Sequence, residues 1–189
     1  FSLKNSVVKN CTGPGLRLTA SGGQNYPALV ENNSISETGG DGIDLKVTNG
    51  SGLDIRICSN VLSFGSTNGI YVDTSGGSGT NLLTGIICDN SIFDYTSSGI
   101  NLYTYNTNSI SQLVLDNNSI HHVSTSLQAK YNRSSADSTL EISDNKLFTG
   151  LTGILVRTDY TSLAPKLVNN EIHDHSVDGI RTELGSSAS

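Results

Sequence analysis

Seven residues of this chain carry side chains suited to gripping a sugar chain: Tyr71, Asp73, Asn101, Tyr103, Gln128, Lys130 and Arg157. Tyrosine rings stack on sugar faces. Asn, Gln and Asp bond hydroxyls, and Lys130 and Arg157 could pair with a uronate carboxylate. They form a set only if the fold lays residues 25–30 positions apart side by side. The competing reading is an ordinary solvated sheet face, which also carries mixed polar residues and long cationic stems.

Other clusters invite other chemistry. His121-His122 and His173-Asp174-His175 have the residue types of a metal site. On a strand, His173 and His175 would point the same way. Phe148 occupies the equivalent place between His121 and His173, which sets the two groups about 10 Å apart, too far to share one zinc ion. Solvent-facing turn histidines are expected, and no metal site is assigned. Gly39-Gly40-Asp41-Gly42-Ile43-Asp44 echoes a calcium-binding nonapeptide, but Lys46 stands where an aliphatic is needed and no second copy follows nine residues on. No cofactor is expected. Calcium is the one ion with ligands at hand, in Asp41, Asp44 and Asp73. Neither a Ser-His-Asp set, a P-loop nor a carboxylate pair is present.

What would position these residues is an internal repeat. The segments VENNSISETGGDGIDL, ICSNVLSFGSTNGIYV, ICDNSIFDYTSSGINL, LDNNSIHHVSTSLQAK, ISDNKLFTGLTGILVR and LVNNEIHDHSVDGIRT share one pattern, and LKNSVVKNCTGPGLRL is a looser first copy. Each has an anchoring Asn: Asn5, Asn33, Asn60, Asn90, Asn118, Asn145 and Asn170. Two places on comes an aliphatic: Val7, Ile35, Leu62, Ile92, Ile120, Leu147 and Ile172. Further along comes Leu16, Ile43, Ile70, Ile100, Leu127, Ile154 or Ile180. A glycine precedes it at Gly15, Gly42, Gly69, Gly99, Gly153 and Gly179, and Ser126 breaks that column.

The local period is two, as at Ile55/Ile57, Leu113/Leu115 and Leu140/Ile142, which is the mark of short strands with one buried face. Each unit is too small to bury its apolar face alone, and stacking units makes each aliphatic column a continuous interior file. Coils about 4.8 Å apart would let seven rise roughly 34 Å. The anchoring Asn is expected at a tight bend with left-handed angles, its amide bonding the equivalent Asn above and below. The Gly is expected to serve a second bend needing positive φ. Connections of varying length at residues 21–27, 48–52, 74–84, 104–111, 131–138 and 158–164 are expected to protrude.

These motifs, from Phe1 to about Leu184, resemble the right-handed parallel β-helix repeats of the pectin-lyase-like superfamily. The resemblance implies an all-β, right-handed parallel β-helix (solenoid) of about seven coils, a fragment of a longer helix. The superfamily includes polysaccharide lyases, glycoside hydrolases, uronan epimerases, phage tailspikes and adhesin passengers, so it implies a fold and not one activity. Some uronan lyases of this fold use a Lys as base with an Arg close by. Lys130 and Arg157 resemble that pair, without a flanking motif.

Stacking would set two outward columns: Arg17, Asp44, Tyr71, Asn101, Gln128, Leu155, Arg181, and Thr19, Lys46, Asp73, Tyr103, Lys130, Arg157, Glu183. The seven candidates then form one patch. Cys58 and Cys88 would also share a column, with Cα atoms about 4.8 Å apart, so a bridge and two stacked thiols both stay open. Cys11 has no evident partner.

Composition agrees with this architecture. Charged residues are 15% and hydrophobic residues 35%, low for a globule with one thick core. The net charge of −6, without a basic stripe, argues against nucleic acid. No run of 18 apolar residues could span a membrane. Low Lys and abundant Asn, Ser, Thr and Gly lean toward a secreted or cell-surface protein. Five sequons begin at Asn10, Asn32, Asn49, Asn117 and Asn132; a chain this rich in Asn, Ser and Thr supplies several by chance, so they carry little weight for glycosylation. The chain begins at Phe1, without a secretory leader or any Met, and is expected to be a processed piece of something longer. Residues 1–189 are expected to form one domain, uncapped at both ends, flanked by further coils, a cap or a partner subunit. The leading expectation is an extracellular segment that binds or helps process a polysaccharide, a uronan among the candidates, with no catalytic residue assigned. If it is an enzyme, it is a lyase, an epimerase or a glycoside hydrolase. The alternative is a non-catalytic stalk, adhesin or spike segment.

Overall fold

Side chains that alternate inward and outward, repeated every 25–30 residues, can bury their apolar face only against the next copy. The computed structural model, which describes residues 1–104, 110–132, 138–159 and 165–185, has that form. It is a right-handed parallel β-helix of seven rungs and about six full turns, with no helix among the described residues. The first three rungs hold three strands each: β1 (Ser2–Lys4), β2 (Val7–Cys11) and β3 (Leu16–Ala20); β4 (Asn25–Glu31), β5 (Ser34–Thr38) and β6 (Ile43–Thr48); β7 (Gly52–Cys58), β8 (Val61–Gly65) and β9 (Ile70–Gly76). In the last four the second and third strands run together. These rungs are β10 (Leu82–Cys88) with β11 (Ser91–Thr104), β12 (Ile110–Asp116) with β13 (Ser119–Asn132), β14 (Thr139–Ser143) with β15 (Lys146–Asp159), and β16 (Lys166–Val168) with β17 (Glu171–Leu184).

The interior is built of vertical files. Ile43 pairs with Ile70, Ile70 with Ile100, Ile100 with Leu127 and Leu127 with Ile154, all buried. A second file runs Ile35, Leu62, Ile92, Ile120, Leu147, and a third Val30, Ile57, Ile87, Leu115, Ile142. Burying each Ile or Leu side chain contributes about 1.5–3 kcal/mol. Three expected protrusions, at 104–111, 131–138 and 158–164, fall largely outside the described residues. The other three are shorter than expected, because β4, β7, β9 and β10 extend into them.

Three details of the repeat differ from expectation. The ladder Asn is not the left-handed residue. That conformation belongs to the position before it, at Asn32, Ser59, Asp89, Asn117, Asp144 and Asn169 with φ of 50–59°. Asn5, with φ 51°, belongs to this column, and Ser6 takes the ladder place, donating its N–H to Asn33 Oδ1 at 3.0 Å. The first-coil frame therefore moves by one residue: Val8, not Val7, pairs with Ile35, and Val7 is 71% exposed. An Asn suits either position, so its identity alone could not fix the frame. Finally, none of the glycines before the Ile file has positive φ. They are needed because the next coil is too close for a Cβ: one added at Gly42 would lie 2.7 Å from Gly69 O, and one at Gly99 2.7 Å from Ser126 O.

The ladder is continuous and buried. Asn90 donates its N–H (3.1 Å) and Nδ2 (2.9 Å) to Asn118 Oδ1, and Asn118 donates Nδ2 to Asn145 Oδ1 (3.0 Å) and back to Ile87 O (2.9 Å). Beside it Cys58 and Cys88, directly paired with Cα atoms 4.6 Å apart, form a disulfide, which settles the alternative left open by their shared column. Replacing Asn118 by Ala would strand Asn90 N and one N–H of Asn90 Nδ2 away from water and take one donor from Ile87 O. A loss of roughly 3–5 kcal/mol is expected in urea unfolding. Reducing the bridge should cost about 3.6 kcal/mol for the 30-residue loop it closes, read as a lower Tm with reductant and no change in Cys58→Ser/Cys88→Ser.

Candidate functional site

The inward files leave the alternate residues of the third strand pointing out. Ile70, Val72, Ile100, Leu102, Leu127, Ala129, Ile154 and Val156 are buried, so Tyr71, Asp73, Asn101, Tyr103, Gln128, Lys130 and Arg157 face solvent. Register brings all seven into two adjacent files over four rungs. Tyr71 pairs with Asn101 and Asn101 with Gln128, while Asp73 pairs with Tyr103, Tyr103 with Lys130 and Lys130 with Arg157.

The two files differ in character. The first is tied together by amides: Gln128 Nε2 donates to Asn101 Oδ1 (3.4 Å), Asn101 Nδ2 to Asn68 Oδ1 (3.4 Å), and Asn68 Nδ2 to Asp41 Oδ1 (2.8 Å). Tyr71 precedes Asn101 in the same file. Partial burial, then Asp73, Tyr103, Asp41 and Asp44, push its pKa up to about 12, so it remains a neutral hydroxyl donor. Asp44 is buried and takes Arg17 Nε on Oδ2 at 2.7 Å, and Asp73 accepts the Ser75 N–H at 2.8 Å. Asp41, Asp44 and Asp73 are thus each engaged by donors of the chain itself.

The second file borders a recess of about 270 Å³ lined by Tyr103, Lys130, Tyr131, Arg157 and Asp159. Arg157 lies between carboxylates, with Nε 3.0 Å from Asp159 Oδ2 and Nη1 3.8 Å from Glu183 Oε2. Glu183 also takes Arg181 Nη2 at 2.7 Å. Most of the Arg157 charge is therefore answered within the protein, and Lys130 forms no ion pair among the described residues. Tyr131 forms the buried floor, its pKa pushed to about 12 by burial, with its hydroxyl 3.3 Å from Ser111 Oγ. Sequence reasoning passed over Asp159 and Tyr131. The i, i+2 spacing of Arg157 and Asp159 on one strand was the signal for the first.

No protein family, no curated protein and no solved structure matches this chain.

The histidines lie near the start of two long strands, His121 and His122 on β13 and His173 and His175 on β17, away from the patch. Phe93, His121, Phe148 and His173 form an outer stack with centroid separations of 5.1, 4.8 and 5.5 Å, and Phe64 meets Phe93 edge-on. Among the described residues no three His, Cys, Asp or Glu side chains converge as a cation site. His173 and His175 do not point the same way, because Asp174 between them is left-handed with φ 57°. His173 stays in the outer stack and bonds Asp174 Oδ2 through Nδ1 at 2.8 Å. His175 turns in over Gly150, its Nε2 3.3 Å from Ser126 Oγ, and its buried Nδ1 has no partner among the described residues.

Burial, reinforced by His173, pulls the His175 pKa down. A His with a depressed folded pKa leaves stability intact above the unfolded value of about 6.5 and removes it as pH falls below that value. The wild type should lose Tm as pH falls below about 6.5 relative to His175→Phe, whose ring would pack as Tyr95 does in the same column. Parallel pH profiles for the two proteins would refute this.

Proposed function

We propose that this chain is a carbohydrate-binding segment of an extracellular, pectin-lyase-like β-helix protein, holding a polysaccharide along the outer face of β9, β11, β13 and β15. The observation that carries this reading is the in-register pair of files, Tyr71-Asn101-Gln128 and Asp73-Tyr103-Lys130-Arg157, beside a polar recess. Rungs about 4.8 Å apart repeat at a distance comparable with one pyranose ring, so a chain lying along the axis meets a fresh pair of side chains at each residue. Tyr103 supplies an aromatic surface, Asn101 and Gln128 supply hydroxyl partners, and Lys130 supplies a cation for a uronate. The Cys58–Cys88 bridge suits an oxidising compartment, which supports a secreted or cell-surface location.

The reading commits to binding, with no turnover required. A scaffold reading, as a stalk, adhesin or spike segment, is favoured by one observation: the interior files emerge at the last rung, with Ile180 52% and Leu184 82% exposed. Further coils, a cap or a partner subunit would cover them.

A glycan array followed by calorimetry separates the readings. Uronan oligosaccharides should bind the wild type, and Lys130→Ala/Arg157→Ala and Tyr103→Ala should each weaken binding at least tenfold, with no new ultraviolet absorbance from unsaturated uronides. Unchanged affinity in these variants would refute the patch. Absence of any glycan ligand would favour the scaffold.

A further inference from the structure

Consecutive residues of a strand normally point to opposite faces, so His122 should enter the solenoid beneath His121. It does not. His122 is left-handed, with φ 52°, and this bend keeps its ring outside, with a side chain 60% exposed. Its Nδ1 lies 3.2 Å from His121 Nδ1. His121 is in turn sandwiched between Phe93 and Phe148, with interplanar angles of 0° and 15°, which fixes the plane of its ring.

We propose that His121 and His122 form a two-imidazole clip for a first-row divalent cation such as Zn²⁺ or Ni²⁺. With metal–nitrogen bonds of about 2.0–2.1 Å, a 3.2 Å separation corresponds to an N–metal–N angle of about 100°, between cis-octahedral and tetrahedral geometry. Imidazole is the ligand type such ions favour. Asp94, from the preceding rung, places Oδ1 3.5 Å from His122 Nδ1, where it accepts a hydrogen bond from a metal-bound water and offsets the ion's charge. Water fills the remaining positions. The other histidine cluster offers no second clip, since His173 Nδ1 is taken by Asp174 and His175 faces inward. The clip stands on its own and does not depend on the carbohydrate reading.

Isothermal titration of the full chain with ZnCl₂ and with NiCl₂, in non-coordinating buffer at neutral pH, tests it. One equivalent should bind. His122→Ala and His121→Phe should each weaken binding at least tenfold; the latter keeps the aromatic stack intact. Asp94→Asn should weaken it several-fold, and His173→Ala should leave it unchanged. Circular dichroism confirms that these surface variants fold. The proposal is overturned if the wild type binds no more tightly than His121→Phe/His122→Ala, or if His173→Ala is the variant that loses binding.

Discussion

The structure depends on a file of buried amides at the corner between the two sheets. From Asn33 to Asn145 each Nδ2 donates both to the Oδ1 of the next coil and to a backbone carbonyl on its N-terminal side, while each Oδ1 from Asn60 to Asn170 accepts a backbone N–H and an amide N–H. These groups are out of reach of water, and leaving any one unpaired costs about 1–3 kcal/mol. Apolar files alone would tolerate a slip along the strand, because one aliphatic replaces another. An amide cannot slip without orphaning its neighbours. The ladder therefore sets the register that puts Tyr103, 13 residues past Asn90, beside Lys130, 12 residues past Asn118.

Much of this was legible before any coordinates. The period of two, the repeat length and the aliphatic files follow from residue type, and both outward columns hold pair by pair from Arg17 to Arg181 and from Thr19 to Glu183. The corners were not legible. Left-handed backbone falls on Glu37, Phe64, His122 and Thr149 as well as on Asn and Asp, so no residue type marks the bend. The direction of every side chain next to a bend was correspondingly lost: Val7 and Val8 exchange roles, and His173 and His175 diverge. Four sequon asparagines, Asn10, Asn32, Asn49 and Asn117, are exposed left-handed corner residues, which accounts for their Asn without glycosylation.

The second bend packs by a different rule from the ladder. Its column reads Cys11, Thr38, Gly65, Tyr95, Val123, Gly150, His175. Both large rings follow a glycine, and both lie back over it: a Cβ on Gly65 would strike the Tyr95 ring, and one on Gly150 would come within 3.4 Å of His175. Tyr95 thereby buries a hydroxyl near Thr38, and His175 reaches Ser126 two rungs away. Close packing at roughly 4.8 Å per rung leaves no room for two large neighbours in succession, so a bulky corner residue demands a vacancy one coil earlier.

That rule separates the two faces by what they can vary. Inside and at the second bend, each side chain is constrained by the coil below it, so substitutions there must come in pairs. On the outer face of β9, β11, β13 and β15 the side chains meet water, and a change at Gln128 or Lys130 disturbs no interior file. The same holds for the outer ring stack, where Phe93 and Phe148 pack against His121 without entering the core. A solenoid of this kind thus keeps its register in one buried ladder and leaves its chemistry to surfaces that the ladder positions but does not constrain in residue type. That is why the fold follows closely from the sequence while the ligand must be sought in the spacing and charge of a few exposed side chains.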